Sequence, residues 1–430
     1  MKKESASLRI LLISAIVILL LIPNFMIQSL ITERQQYRLD AISEIGNSWA
    51  GAQIVAGPII SVAKKKERKD KNGKVHYRTE RSHYLPEKLE INADVQPEIR
   101  YKGIYELVLY KSKIKMKGHI NLSKLRERFP GDDYDEIYIS FNVSDLRGMQ
   151  KDVKLKLNGK DYNLIPGLKN KIFRNGFYAP IQLDKDTIQH FEIELDLNGM
   201  ENLEFIPLGK YSKININSSW SNPGFFGAFL PESREINEDG FKAEWFVNYF
   251  NRTYPQEWHN TNYDVFPSAF GVKLLIPVDE YQKTMRMSKY SLMIIVLTFL
   301  SFFLVEVFSK KVIHPIQYLL VGLALIIFYS ILLAISEYVV FQFSYLISSL
   351  MTIFLIGFYV KSIYRSKQIA LIITGMLALF YGFMYVILQL QDYSLLLGNI
   401  MLFIILAAVM FFTRKVNWYD VFSSNSKSSD

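Results

Sequence analysis

Residues 290–308 read YSLMIIVLTFLSFFLVEVF, an apolar run in which the single charged residue, Glu306, stands near the end. At about 1.5 Å of rise per residue, a helix of this length nearly crosses the roughly 30 Å hydrocarbon core of a bilayer. Further apolar runs follow after short polar breaks, at 316–335, 341–360, 369–388 and 395–413. Residues 290–413 therefore predict a bundle of five membrane-spanning helices.

Another apolar run lies near the start of the chain. Residues 10–31 carry no charge and follow Lys2, Lys3 and Arg9. The run is longer than the apolar part of a signal peptide and ends without a small-residue cleavage site. We therefore predict a cytoplasmic N-terminus at 1–9, an uncleaved transmembrane anchor at 10–31, and a helical stalk at 32–50 with apolar residues every three to four positions.

The segment between the anchor and the five-helix bundle has a different pattern. Apolar and polar residues alternate, as in VKLKL at 153–157 and FEIELDL at 191–197, which is typical of half-buried strands. Tight hairpins are predicted by Asn-Gly and Asp-Gly pairs at 72–73, 158–159, 198–199 and 239–240. The fold class is therefore an α+β membrane protein, with a large antiparallel β-rich extracytoplasmic domain at 51–289 that contains one short helix at 122–129.

Lysine and arginine residues in the short breaks predict the orientation in the membrane. They occur in the breaks at 309–315 and 361–368 and after the last span, but not at 336–340 or 389–394. Short loops rich in these residues stay in the cytoplasm. We therefore predict a multi-pass protein with both termini cytoplasmic, including a tail at 414–430, and with the β-rich domain on the opposite side.

The net charge of +9 and the absence of cysteine limit the chemistry of the 430-residue chain. Without cysteine there are no disulfides, cysteine-bound zinc sites, iron–sulfur clusters or thiol nucleophiles. Much of the positive charge lies at 64–81, where nine Lys and Arg residues stand against three acidic residues. A solvated hairpin is the simpler interpretation, and attraction to anionic envelope polymers or lipid headgroups is the alternative. The predicted sidedness excludes nucleic acid as a partner.

The sequence contains no established catalytic or phosphate-binding motif. The patterns GxxxxGK[ST], GxGxxG, HExxH and GxSxG do not occur. The six histidines do not recur at the spacing of a helical metal site, and the acidic run at 132–136 lacks the glycine and final glutamate of an EF-hand. We predict no catalytic residues, no metal site and no cofactor.

Aromatic and acidic residues supply the candidate interaction sites. Residues 220–231 concentrate four aromatic side chains around glycine and proline: Trp220, Phe225, Phe226 and Phe229. Filling of the core and contact with a membrane surface or ligand are both open for this segment. Glu306 is expected to form an interfacial ion pair with Lys310, and Glu337 lies in a break on the opposite side.

No ionisable residue lies at the middle of a predicted span. A charge there is costly and usually functional, so its absence argues against proton-coupled transport. Four glycines within the spans are expected to permit close packing of helices: Gly322, Gly357, Gly375 and Gly382.

Residues 311–323 read KVIHPIQYLLVGL, and this segment resembles the CreD family of inner-membrane proteins of Gram-negative bacteria. The clearest matching residues are His314, Pro315, Gln317 and Tyr318, and shorter matching segments, including Asp145-Leu-Arg147-Gly148, extend over nearly the whole chain. The resemblance implies a bacterial inner (cytoplasmic) membrane location with a periplasmic β-rich domain. It also implies a role in cell envelope integrity and stress response, associated with a sensor kinase and response regulator. His314 and Pro315 are expected to open a helix.

Three functional hypotheses remain. The first is a non-enzymatic protein that supports envelope integrity and stress response, whose periplasmic β domain contacts envelope components or other membrane proteins while the lipid bilayer surrounds its helices. The second is a transporter or lipid-handling protein, because five spans exceed what an anchor requires. The third is an external hydrolase, which requires a cleft with a nucleophile within hydrogen-bond reach of a histidine.

Overall fold

The structure is a computed structural model that describes residues 6–69, 75–276, 280–309, 311–390 and 394–414. The chain forms two compact units. We call Met1–Arg38 together with Val278–Asp430 the membrane unit, and Leu39–Pro277 the β unit. The described residues contain eight α-helices: α1 (Ala6–Ser48), α2 (Ser123–Arg128), α3 (Glu280–Lys289), α4 (Ser291–Ser309), α5 (Pro315–Ser336), α6 (Phe341–Tyr364), α7 (Lys367–Gln389) and α8 (Ser394–Thr413).

Five of these helices are long and apolar enough to cross a membrane. They are α1, from Arg9 onward, and α4 to α7, while α8 contributes a shorter apolar segment, Leu396–Phe411. The anchor and the first four spans of the predicted bundle are therefore confirmed as helices of spanning length. The fifth predicted span coincides with α8.

The anchor and the stalk are one continuous helix. α1 contains 43 residues, with Pro23 in its interior, and is about 64 Å long at 1.5 Å per residue. That length is about twice the thickness of the hydrocarbon core, so the same helix supplies both elements.

The membrane unit begins earlier than the sequence-based boundary at residue 289. Residues 280–289 form helix α3, which belongs to the membrane unit. Its buried side chains are Tyr281, Thr284, Met287 and Ser288, a helical spacing. Because several of these residues are polar, the sequence does not show the apolar stripe that usually indicates a buried helical face.

The described residues of the β unit form seventeen strands: β1 (Gln53–Lys69), β2 (Val75–Tyr84), β3 (Lys88–Lys102), β4 (Tyr105–Asn121), β5 (Glu136–Val143), β6 (Lys154–Leu157), β7 (Lys160–Asn163), β8 (Ile165–Pro166), β9 (Gly176–Pro180), β10 (Ile188–Met200), β11 (Asn202–Phe205), β12 (Tyr211–Ser218), β13 (Pro223–Gly227), β14 (Ser233–Asn237), β15 (Gly240–Asn248), β16 (Glu257–His259) and β17 (Phe270–Leu274). They form a nine-stranded sheet in the order β13-β17-β11-β1-β5-β9-β8, with β2 beside β1 and β16 beside β2. The eight-stranded sheet has the order β14-β15-β12-β3-β4-β10-β6-β7.

The two sheets share one apolar core. Alternate residues of the long strands point into it, such as Ile91 on β3, Ile114 on β4 and Ile193 on β10, each at most 1% exposed. Most neighbouring strands are antiparallel, as predicted, but β1 pairs with β11 and β3 pairs with β12 in parallel. These partners are distant in sequence, so hairpin turns could not indicate their direction.

The predicted turns have mixed outcomes. Asn158-Gly159 joins β6 to β7 with φ angles of +47° and +78°, and Asp239-Gly240 closes the β14–β15 hairpin, as predicted. The hairpin predicted at Asn198-Gly199 is wrong, because both residues lie within β10. Gly199 is needed there for packing, since a Cβ atom would lie 2.2 Å from the Tyr110 hydroxyl oxygen. Asn72-Gly73 lies outside the described residues, and α2 confirms the short helix predicted at 122–129.

Candidate functional site

A buried carboxylate joins three helices of the membrane unit. Glu306 on α4 is 5% exposed. Its Oε1 atom accepts a hydrogen bond from Arg9 Nη1 of α1 at 2.8 Å, and its Oε2 atom accepts one from the Tyr318 hydroxyl of α5 at 3.1 Å. The rings of Phe299 and Phe302 pack against Tyr318, with centroid distances of 5.3 and 6.0 Å. We call Arg9, Glu306 and Tyr318 the Glu306 cluster.

The Glu306 cluster differs in one respect from the ion pair expected from the sequence. The expected partner, Lys310, lies outside the described residues, and the described side-chain partners of the carboxylate are Arg9 and Tyr318. The exclusion of water by the aromatic rings strengthens both hydrogen bonds, because electrostatic attraction is larger where the local dielectric constant is low. α1 is therefore held to α4 and α5 near its first turn.

The family motif at 314–318 forms the start of α5. His314 is the N-cap residue, and its Nδ1 atom accepts a hydrogen bond from the backbone N–H of Ile316 at 3.3 Å. Gln317 Oε1 accepts one from the His314 N–H at 3.1 Å, while Pro315 occupies the first helical turn, where its missing N–H does no harm. The expectation that His314 and Pro315 open a helix is confirmed. This cap sets the first turn of α5 and so positions Tyr318 beside Glu306.

A second cluster contains Glu337, the C-cap residue of α5. Glu337 Oε1 lies 3.7 Å from Arg34 Nε of α1 and accepts a hydrogen bond from the Tyr281 hydroxyl of α3 at 3.5 Å. These distances are longer than in the Glu306 cluster, and the Arg34 side chain is 42% exposed. We call Arg34, Tyr281 and Glu337 the Glu337 cluster.

The two clusters are spaced for the two surfaces of a bilayer. Arg9 and Arg34 are 25 positions apart on one helix, which corresponds to about 38 Å. This matches the hydrocarbon core together with part of the headgroup layers. Between them, the Ser291 hydroxyl donates to Asn24 Oδ1 at 2.6 Å, and both side chains are buried. α1 is thus fastened to the rest of the membrane unit at both ends and near the middle of its spanning part.

Glycine permits close helix contacts at two of the four predicted positions. A Cβ atom at Gly322 would lie 2.2 Å from Leu20 Cδ1 of α1, and one at Gly357 would lie 2.7 Å from Thr374 Oγ1 of α7. The prediction is wrong for Gly375 and Gly382, because no neighbouring element of the described chain comes within 4 Å of a Cβ atom built there. Helical spacing alone does not tell which face of a helix meets a neighbour.

The C-terminal end of α1 is held by hydrogen bonds within the β unit. Arg147 Nη1 donates to the carbonyl oxygen of Asn47 at 2.6 Å, and Asp145 Oδ2 accepts from the Gly51 N–H at 3.0 Å. Arg147 also binds Asp145 through two side-chain hydrogen bonds of 2.8 and 2.6 Å. The hydrogen bonds from Arg147, supported by the Gly51 N–H, lower the pKa of Asp145 to about 2. We call Asp145 and Arg147 the stalk clasp.

A serine–histidine pair is the closest approach to a catalytic arrangement. Ser61 Oγ and His83 Nδ1 are 2.8 Å apart in the β unit. However, Ser61 is 0% and His83 is 3% exposed, and the ring of Trp258 lies 5.5 Å from that of His83. Burial, helped by Arg81 and His259, lowers the pKa of His83 to about 4. A substrate has no access to this serine, and the charged groups acting on the histidine are cationic rather than the carboxylate of a triad.

The aromatic segment 220–231 is an edge of the nine-stranded sheet. Residues 223–227 form β13, which pairs with β17, and Trp220 Nε1 donates to the Leu275 carbonyl at 3.1 Å. Phe225 packs edge-on against Trp245, and Phe229 packs edge-on against Phe270. These contacts favour core filling. Phe226 is half-buried, like the other three candidate aromatic residues of this segment, and a ligand-binding role for the four stays a prediction.

The candidate residues thus occupy separate places. Glu306 and Tyr318 meet, with His314, Pro315 and Gln317 in the adjoining cap. Glu337 belongs to another cluster, and the aromatic residues lie in the β unit. The sequence did not predict a role for Arg9, Asp145 or Arg147. Their contacts with Glu306, Gly51 and Asn47 join residues that are distant in sequence. Across the described ranges, no group of three or more His, Cys, Asp and Glu side chains is placed to hold a metal ion.

These features define a multi-pass membrane protein of the α+β class, with a β-rich domain inserted in the sequence between its first and second spans. The sequence model of a family described as "Inner membrane protein CreD" matches residues 5–419. The inner membrane protein CreD of Escherichia coli (strain K12) is 33% identical over 418 residues, which cover 94% of this chain and 91% of that protein. The chain belongs to the CreD family and is a multi-pass inner-membrane protein.

Solved structures also show a likeness to the chain. A structure of native yeast LTA4 hydrolase has a TM-score of 0.21 and 5% identity, covering 50% of this chain and 35% of that one. A likeness at this level carries no argument about fold or function.

Proposed function

We propose that this inner-membrane protein supports the integrity of the cell envelope and its response to stress without catalysing a reaction. In this proposal the β unit faces the periplasm and is the part that interacts. The observation that carries it is α1, a helix of 43 residues with specific contacts in each unit. Polar contacts at Arg9, Asn24, Gln28 and Arg34 hold it in the membrane unit. The stalk clasp holds its end in the β unit.

The specific contacts of α1 favour a role in transmitting force over a role as a simple membrane anchor. An anchor needs only an apolar helix, because insertion in the bilayer is already favourable. A buried ion pair such as Arg9–Glu306 adds geometric specificity, since breaking it would leave a charge without its partner. In our proposal, contacts made by the β unit in the periplasm act on the bundle through this helix.

The periplasmic orientation of the β unit is supported by the charges of the short breaks. Lys311 and Arg365 lie in the breaks that we assign to the cytoplasm, and Lys361 and Lys367 lie in the helical turns on either side of the second break. A periplasm-active reporter fused after Gln391 should be active, and one fused after Ser366 should be inactive. The reverse pattern would contradict the orientation and, with it, the periplasmic role.

The envelope role is tested by a deletion and its complementation. The deletion strain should be more sensitive to detergents and to β-lactams than the strain complemented with the wild type. A variant with the clasp removed, Asp145→Asn with Arg147→Gln, should restore less resistance at equal membrane levels. The matched control is Lys154→Gln, an exposed charge away from the clasp, which should complement fully. If the deletion has no phenotype under any envelope stress, the proposal is wrong.

A second candidate is a transporter or lipid-handling protein, because one face of α6 is rich in buried hydroxyl groups: Ser344, Ser348, Ser349 and Thr352. Each of these hydroxyls donates to a backbone carbonyl three to five residues earlier, which favours packing over an aqueous path. The hydroxyls of Tyr329 and Tyr381 have no hydrogen-bond partner among the described residues.

Reconstitution in liposomes separates the two candidates. Fluorescent lipids should move between leaflets no faster with the protein than without it if the first proposal holds. A rate above the protein-free control that falls in Tyr381→Phe would favour lipid handling.

A further inference from the structure

Strands β1 and β2 extend beyond the rest of the nine-stranded sheet. β1 pairs with β5 only as far as Ala63, whereas its pairing with β2 continues from Lys64–Glu80 to Lys69–Val75. On the other side of β2, β16 pairs only with residues Ser82–Tyr84. Residues 64–69 and 75–81 therefore form a two-stranded arm, which we call the basic ribbon.

The basic ribbon carries a concentrated positive charge. It contains seven Lys and Arg residues against Glu67 and Glu80, a net charge of +5 with histidine neutral. Lys64 is ion-paired with Asp133, and Lys66 Nζ lies 2.8 Å from Glu80 Oε2. Asp135 Oδ2 also accepts a hydrogen bond from the backbone N–H of Lys65. These three acidic residues, Asp133, Glu80 and Asp135, neutralise only part of the charge.

Like charges also face each other across the two strands. Lys66 is directly opposite Arg78 in the strand register, an arrangement that destabilises an isolated ribbon. Lys65 and Arg78 are exposed, and the Lys66 side chain is 58% exposed. Because Lys65 and Lys66 are neighbours on a strand, they lie on opposite faces. Both faces of the basic ribbon can therefore engage an anion.

The basic ribbon lies far from the stalk within the β unit. β1 begins at Gln53, whose Nε2 atom donates to the Asp145 carbonyl at 3.0 Å, beside the stalk clasp. The 17 residues of β1 then run for about 50 Å at 3.3 Å per residue. The arm is thus at the opposite end of β1 from the helix that connects the β unit to the bilayer.

The side chains of the basic ribbon favour a polymer over a lipid surface. Stable binding to a bilayer surface combines positive charge with apolar side chains that insert. Among the ribbon residues whose side chains are described, Tyr77 is the large exposed apolar side chain, at 68% exposure. A flexible polymer with repeated negative charges can follow a narrow arm that is positive on both faces.

We propose that the basic ribbon binds an anionic polymer of the cell envelope, whose repeated carboxylates contact Lys65, Lys66 and Arg78. This deepens the proposed function and rests on the β unit facing the periplasm. Binding is electrostatic, so it weakens as salt shortens the screening distance from about 10 Å at 0.1 M to about 3 Å at 1 M.

The test uses the full chain in nanodiscs of zwitterionic lipid, sedimented with purified peptidoglycan sacculi at low salt. The triple variant Lys65→Gln, Lys66→Gln, Arg78→Gln should bind about 10- to 100-fold more weakly than the wild type. The matched control removes the same charge from exposed lysines elsewhere in the β unit: Lys111→Gln, Lys113→Gln and Lys154→Gln. It should bind within about twofold of the wild type, and circular dichroism should show both variants folded.

Four results would overturn the proposal: no binding of the wild type to sacculi, equal losses in both variants, no loss in the ribbon variant, or binding only to liposomes that contain anionic lipid. The last result would assign the surface to a lipid headgroup. The assay uses purified protein, so its failure leaves the deletion phenotype of the proposed function standing. Conversely, a reversed reporter pattern removes the periplasmic role without altering the binding curve.

Discussion

Replacing Arg9 by Gln should destabilise the membrane unit more than replacing Glu306 by Gln. The two decreases in the free energy of unfolding should not be additive. The Glu306 side chain is 6% exposed and that of Arg9 is 21% exposed. Arg9→Gln leaves a buried carboxylate with Tyr318 as its remaining described side-chain partner, which should cost about 2–4 kcal/mol. Glu306→Gln leaves an arginine that can extend to water from the start of α1, which should cost about 1–2 kcal/mol.

The double variant completes a thermodynamic cycle. The double variant should lose less free energy of unfolding than the sum of the two single variants, by about 1.5–3 kcal/mol, because neither charge remains unpaired. Arg34 and Glu337 supply the control pair, since their closest atoms are 3.7 Å apart and Arg34 is 42% exposed. The coupling of this more distant and partly exposed pair should be below about 1 kcal/mol.

Unfolding of the bundle can be followed through one introduced thiol. The chain has no cysteine, and Ser301 on α4 is buried and close in shape to cysteine. In a Ser301→Cys background, the rate of thiol modification during denaturation by SDS reports opening of the bundle and gives each free energy. A coupling for Arg9–Glu306 no larger than that for Arg34–Glu337 would refute burial as the source of its strength.

Three further predictions concern a histidine, the stalk clasp and a helix contact. The pKa of His83 is about 4 in the folded protein, so the unfolded chain binds a proton at this histidine first as pH falls below 6.5. The free energy of unfolding should therefore decrease by up to about 3 kcal/mol between pH 6.5 and pH 4. Denaturant unfolding of wild type and His83→Gln at several pH values should show this loss in the wild type alone. Asp145 has a pKa of about 2, so Asp145→Asn should cost about 1–2 kcal/mol at neutral pH and nothing below pH 2, measured by thermal unfolding. Gly322→Ala should cost about 1–3 kcal/mol in the thiol assay through its clash with Leu20, whereas an effect as large in Gly375→Ala would contradict the packing argument.

Short-range patterns predicted the elements that depend on neighbouring residues. The apolar runs predicted the spans because crossing a bilayer requires one continuous length of apolar helix. Alternation in residues such as 191–197 predicted strands, since successive side chains point to opposite faces. Asn158-Gly159 predicted a turn, and His314-Pro315 predicted a helix start, because backbone angles are set locally.

The partners of the candidate site residues could not be predicted in the same way. Glu306 was recognised as an interfacial acid, but Arg9, its ion-pair partner, is 297 residues away. A nearby lysine was the natural expectation because sequence distance was the only distance available. The role of Asp145 was likewise invisible, since its contact with Gly51 spans 94 residues.

The sequence by itself determined that this protein has membrane-spanning helices, a β-rich domain between the first two spans, and the caps and turns at several element ends. Tertiary structure alone decided which faces meet: the ion pairs that fasten α1, the parallel strand pairs, and the burial of Ser61 and His83 together. The physical reason is that periodicity reports which side of an element avoids water. It does not report which other element covers that side.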